Sequence, residues 1–134
     1  MEAAFIVIDD SDLDCFITKK IIGQIAQQLN IVVFKNAAPA LEMLRDKKKQ
    51  LNDPLTIIFL DLYMPLMDGF KFLEEFEQLS ADIQNSYNIN VLSSTKNQIE
   101  IYRLKNFKTV NSFIEKPMTK EKLLDLLSKL KTKL

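Results

Sequence analysis

The feature that most constrains this chain is a rhythm. Short runs rich in Ile, Val, Leu and Phe alternate five times with longer segments of helical period, which is the pattern of a parallel sheet wrapped by helices. The strand candidates are residues 5–8, 31–34, 56–60, 89–92 and 112–115. Most are unbroken apolar runs rather than alternating ones, as expected of strands covered on both faces. The sequence therefore predicts an α/β domain.

The intervening segments carry helix signals. Ser11 or Asp12 can cap a first helix whose Leu13, Ile17, Ile21 and Ile25 predict one apolar stripe. Pro39 suits the first turn of a second helix bearing Leu41 and Leu44, and Lys47, Lys48 and Lys49 suit its last turn. Gly69 opens a third, with Phe70, Leu73 and Phe76. A fourth follows Lys96, and a fifth runs from about Thr119 with Leu123, Leu127 and Leu130 in register. The polar stretch 78–90 either extends the third helix or forms a long loop.

Absences exclude whole chemistries. With no histidine in 134 residues, histidine bases, His-ligated zinc and Ser/Cys-His nucleophile pairs are impossible. Gly23 and Gly69 are the only glycines, too few for a phosphate-binding loop or a dinucleotide fingerprint. The lone Cys15 reads as a small apolar helix residue. Eighteen basic residues cancel eighteen acidic ones, so no chain-wide basic field is available to hold nucleic acid or an anionic membrane. The N-terminus lacks the basic and apolar regions of an export signal, and the apolar stretch 55–70 is interrupted by Asp61, Pro65 and Asp68. These readings predict a cytoplasmic protein without membrane insertion.

Ligands of parallel α/β sheets gather beyond the carboxyl ends of the strands. Here strand one ends in Asp9-Asp10, strand three in Asp61, strand four in Ser93-Ser94-Thr95 and strand five in Lys116-Pro117. Three carboxylates brought within about 4 to 5 Å repel by several kcal/mol per pair at an effective dielectric near 20. A hard cation relieves that repulsion, and Mg²⁺, with open positions for phosphoryl oxygens, fits an all-oxygen set. Asp61 can then act as the nucleophile that accepts a phosphoryl group, Lys116 can neutralise its oxygens, and a strand-four serine can hydrogen-bond it. Taken singly, these residues read as a helix cap, a turn and loop serines. Their joint placement at the ends of four strands favours the site.

Three blocks give this arrangement a family likeness. Val7-Ile8-Asp9-Asp10, the stretch from Leu60 and Asp61 through Met64-Pro65 to Asp68-Gly69, and Phe113-Ile114-Glu115-Lys116-Pro117 together resemble the receiver domain of two-component response regulators, over essentially the whole chain. The resemblance implies a doubly wound, flavodoxin-like sheet of strand order 2-1-3-4-5 with helices on both faces. It also implies that Asp61 is phosphorylated by a histidine kinase or histidine phosphotransfer protein. Mg²⁺ would be held by Asp10, Asp61 and the backbone carbonyl of Tyr63, with Asp9 acting through water. Pro65 and Gly69 would shape the loop, and the Lys116-Pro117 bond would be cis. Ser93, directly after Leu92, is the expected switch hydroxyl. Spacing back from Lys116 favours Ser94 instead, unless the stretch 106–111 carries one extra residue. Phe113 is the expected switch aromatic, moving by packing alone because it lacks a phenolic oxygen.

On this reading residues 1–134 form a single receiver domain without an output domain, chemotaxis-regulator-like. It would take phosphoryl groups from a donor in a Mg²⁺-dependent self-phosphorylation and lose them slowly. It would signal, as relay intermediate or diffusible switch, through a downstream protein on the face of its fourth helix, fifth strand and last helix. One alternative is a degenerate receiver that binds protein partners independently of phosphorylation. Another is a haloacid-dehalogenase-type phosphohydrolase, but that chemistry needs an aspartate two residues after the nucleophile, where this chain has Tyr63.

Overall fold

The computed structural model describes residues 3–26, 30–46 and 55–133. In chain order they form β1 (Ala3–Ile8), α1 (Asp12–Ile25), β2 (Ile31–Phe34), α2 (Ala37–Arg45), β3 (Leu55–Leu60), α3 (Gly69–Phe76) and α4 (Ala81–Asn85). There follow β4 (Tyr87–Ser93), α5 (Gln98–Arg103), a 3₁₀ turn at Leu104–Asn106, β5 (Val110–Glu115) and α6 (Lys120–Lys133). All strand pairings are parallel, in the order β2-β1-β3-β4-β5. The Lys116-Pro117 peptide is cis. Lys47, Lys48 and Lys49 lie outside the described residues.

The strands divide the core by side-chain parity. Ile6, Ile8, Ile58, Leu60, Ile89 and Val91 point to one face, against α2, α3 and α4. Phe5, Val7, Ile57, Phe59 and Leu92 point to the other, against α1 and α6. Each of these side chains is almost fully buried, and burying one stabilises the fold by about 1.5–3 kcal/mol. Both faces are covered, which is why β1 and β3 carry apolar residues at nearly every position.

Helix boundaries follow the capping residues. Ser11 Oγ accepts from the Asp14 amide at 3.2 Å, Asp68 Oδ1 from the Lys71 amide at 2.9 Å, and Asn97 Oδ1 from the Ile99 amide at 2.9 Å. The stretch 78–90 is neither an extended α3 nor a long loop. Ser80 caps the single turn α4, its Oγ accepting from the Ile83 amide at 3.3 Å, and β4 starts at Tyr87.

The stripe expected on α1 is corrected. Leu13 is 67% exposed, and the buried residues are Cys15, Thr18 and Ile22, with Ile21 and Ile25 packed beside them. The cause is geometric: residues spaced strictly by four advance about 40° per step beyond a full turn, so the series winds off one face. The true face mixes steps of three and four. On α6 Leu123, Leu126 and Leu130 are buried and Leu127 lies at the margin.

Candidate functional site

Sheet register brings the acidic residues together. Ile8 pairs with Leu60, and the Asp61 amide donates to the Ile8 carbonyl at 2.9 Å, so the residues that follow each strand emerge side by side. Asp9, Asp10 and Asp61 each place a carboxylate oxygen within 4.8 Å of the others. Asp9 and Asp61 are buried, whereas Asp10 is exposed. On the far side Ser93 pairs with Glu115, and the Lys116 amide donates to the Ser93 carbonyl at 2.9 Å. That contact turns the lysine toward the acids.

The ammonium of Lys116 lies 2.8 Å from Asp9 Oδ2, 2.8 Å from Asp14 Oδ2 and 3.6 Å from Asp61 Oδ1. Both Asp9 oxygens are engaged by protein donors, since Oδ1 also accepts from the Ser11 amide at 3.0 Å. Burial, then repulsion from Asp9, lifts the Asp61 carboxyl from an ordinary 3.8 to about 6, against the pull of Lys116 and the Tyr63 amide. Burial alone would lower the Lys116 ammonium, but hydrogen bonds to Asp14 and Asp9 outweigh it and carry it above the ordinary lysine range. Burial, then Asp9, pushes the thiol of the buried Cys15 up to about 11, which disfavours the thiolate.

The loop after Asp61 is shaped by close backbone approach. The Gly69 amide donates to the Leu62 carbonyl at 2.9 Å, and a Cβ on Gly69 would meet the Asp61 carbonyl oxygen at 2.7 Å and Leu62 Cα at 2.8 Å. Only glycine lets α3 begin this near the aspartate. Leu66 adopts φ 71 at the loop tip with its side chain fully in solvent, a conformation that costs a leucine about 1–2 kcal/mol.

Ser93 is fully buried at the end of β4, with Oγ accepting from the Thr95 amide at 3.3 Å, whereas Ser94 is exposed. Phe113 pairs with Val91 and is half-buried, its ring packed against the α2–α3 side of the core. Between Ile89 and Asn90 the β4–β5 register slips: Ile89 pairs with Val110 but Asn90 with Ser112, leaving Asn111 as the extra residue of a bulge. The bulge lies within the stretch between Ser93 and Lys116.

Two groups escaped the sequence reading. Asp14 stands in an acidic run that reads as helix capping, and its contact with Lys116 spans 102 residues. The family resemblance assigns Tyr63 a role through its backbone carbonyl alone. Its hydroxyl nevertheless donates to Glu100 and lies 3.1 Å from Thr95 Oγ1, while Thr95 donates to Glu100 at 2.8 Å. These bonds tie the β3–α3 loop to the β4–α5 loop.

The model of the response regulator receiver domain matches residues 5–128. The chain belongs to that family. Among solved structures, this receiver is similar to a response regulator receiver protein from Dyadobacter fermentans, with 27% identity, TM-score 0.83, and 95% of this chain and 96% of that one covered. It is also similar to a two-component response regulator from Cytophaga hutchinsonii (23%, TM-score 0.84, 98% of each) and one from Legionella pneumophila (20%, TM-score 0.78, 98% and 99%). No curated protein matches the receiver. Among the described residues no helix is long and apolar enough to cross a membrane.

Proposed function

We propose that this receiver accepts a phosphoryl group on Asp61 from a phosphohistidine of a partner kinase or phosphotransfer protein, and that the modification changes its affinity for a downstream protein. The observation that carries the reading is the meeting of Asp9, Asp10 and Asp61 within 4.8 Å beside Lys116. A carboxylate oxygen of Asp61 attacks phosphorus, the phosphorus–nitrogen bond breaks, and the imidazole leaves with its electron pair to take up a proton.

The donor set fits Mg²⁺. It consists of oxygens alone, one acid is exposed, and the mutual repulsion is not fully met by a single lysine. Asp10, Asp61 and the carbonyl of Tyr63 would hold the ion directly, and Asp9, its oxygens already engaged, would hold it through water. When bound, the ion would supply charge neutralisation at the phosphoryl oxygens. Lys116, 3.6 Å from Asp61 Oδ1, would neutralise a phosphoryl oxygen, and Ser93 Oγ would hydrogen-bond another.

Ser93 and Lys116 share a backbone hydrogen bond, so their movement toward the phosphoryl group shifts the ends of β4 and β5 together, and Phe113 follows. The affected surface is α5–β5–α6. Ile99 and Tyr102 stand 80% and 68% exposed on α5. A groove of about 590 Å³ between β5 and α6, lined by Phe113, Lys122, Leu126 and Lys129 among others, borders the switch aromatic.

The test is incubation with a small acyl-phosphate donor and Mg²⁺, followed by intact mass measurement. A gain of about 80 Da, one phosphoryl group, that disappears in Asp61→Asn or on chelation is expected. No gain, with partner binding indifferent to the donor, would leave a phosphorylation-independent binding module instead.

A further inference from the structure

Lys116 has three N–H donors, and the structure spends two of them at 2.8 Å on Asp9 and Asp14, leaving Asp61 at 3.6 Å. The third donor is free for a phosphoryl group on Asp61, and an ammonium that shifts to close the 3.6 Å gap lengthens one of its two short contacts. Exposure decides which. The Asp9 side chain is 3% exposed, so losing its lysine would strand a buried charge, which is strongly destabilising. The Asp14 side chain is 28% exposed, on the first full turn of α1, and water can take over its carboxylate when the lysine leaves.

We infer that Asp14 is a positioning residue, a latch that holds Lys116 back from Asp61 in the resting receiver and releases it when a phosphoryl group arrives. The inference rests on Asp61 being the phosphoacceptor. The latch stabilises the resting form alone, so it weakens the affinity of the site for any phosphoryl-like group. Asp14 touches Lys116 and no reacting atom, and its removal acts through the lysine.

The experiment is an equilibrium titration of the Mg²⁺-loaded protein with beryllofluoride, a phosphoryl mimic that bonds to a carboxylate oxygen. Wild type is compared with Asp14→Asn, Asp14→Ser and the charge control Asp12→Asn, and thermal melting verifies folding of each. Asp12 lies in the same turn with its side chain 92% exposed and pairs with Lys35. Its loss removes an equal charge without touching Lys116. Loss of the latch is expected to tighten mimic binding about two- to fivefold in both Asp14 variants, the upper range of a partly exposed ion pair. The Asp12→Asn change is expected to stay under about twofold because solvent screens it. A residue that merely props the fold would weaken binding and lower the melting temperature together. Weaker or unchanged binding in the Asp14 variants, or an equal gain in Asp12→Asn, would overturn the latch while leaving the phosphoacceptor reading intact. Failure of wild type to take the mimic would remove the phosphoacceptor reading, and the latch with it.

Discussion

Replacing Asp61 by asparagine tests whether the acids crowd at an energetic cost. The folded carboxyl sits at about 6 against an ordinary 3.8. At 1.36 kcal/mol per unit this difference amounts to about 3 kcal/mol. The sign follows from proton counting. Between the two values the folded state binds the proton and the unfolded state does not, so stability falls as pH rises from about 4 to above 6. Below that window both states are protonated and the cost vanishes; above it the cost is fully present. The substituted asparagine is neutral throughout, and its amide oxygen can still accept from the Tyr63 backbone. With a chelator present, Asp61→Asn should therefore stabilise the protein by about 1–3 kcal/mol near pH 7.5, or about 3–10 °C in Tm for a chain of this size. Near pH 4 it should give almost nothing. Urea or thermal unfolding across that pH range supplies the comparison. Mg²⁺ should raise the Tm of wild type by mass action and affect the variant far less. An equal gain at both pH values, or a loss near neutrality, would refute electrostatic crowding as the cause.

Gly69→Ala should destabilise by about 1–3 kcal/mol, because its Cβ meets backbone atoms of Asp61 and Leu62 that have nowhere to go; the same variant should slow phosphoryl uptake in the intact-mass assay. Asn90→Val should cost about 2–4 kcal/mol by urea unfolding. The fully buried Asn90 accepts from Ser112 Oγ at 2.7 Å and Asn111 Nδ2 at 2.9 Å, and a valine would leave both donors without that acceptor.

What the sequence discloses depends on how local the cause is. The first three strands are legible because nearly every residue in them is apolar, a signal that needs no knowledge of neighbours. Strand ends are legible too: position 9, 61 or 116 follows from where the apolar run stops. The face of α1 is not, since Leu13 and Cys15 differ by orientation and only packing against β1 and α6 selects one. Asp14 is invisible for another reason. An aspartate in a first helical turn has a sufficient local explanation in the helix dipole, which conceals a partner at the opposite end of the chain.

Ser93 and Ser94 show how a distant irregularity bears on a local reading. Counting back from Lys116 assumes that β4 and β5 keep one register, and they do not. Asn111 is extruded as a bulge, its amide bonded to Asn90, and pairing resumes at Ser112. A one-residue slip would otherwise turn each β5 side chain to the opposite face. Phe113 would then leave the α2–α3 side of the core, and Lys116 would no longer reach Asp9 from its hydrogen bond to Ser93. The bulge absorbs the extra residue before the functional part of the strand, so Val91 pairs with Phe113 and Ser93 with Glu115. The buried asparagine is a polar side chain in a central strand, and its place follows from this. It supplies hydrogen bonds to the residues around the disrupted ladder, which fixes the slip at one position and keeps the lysine aimed at the acids.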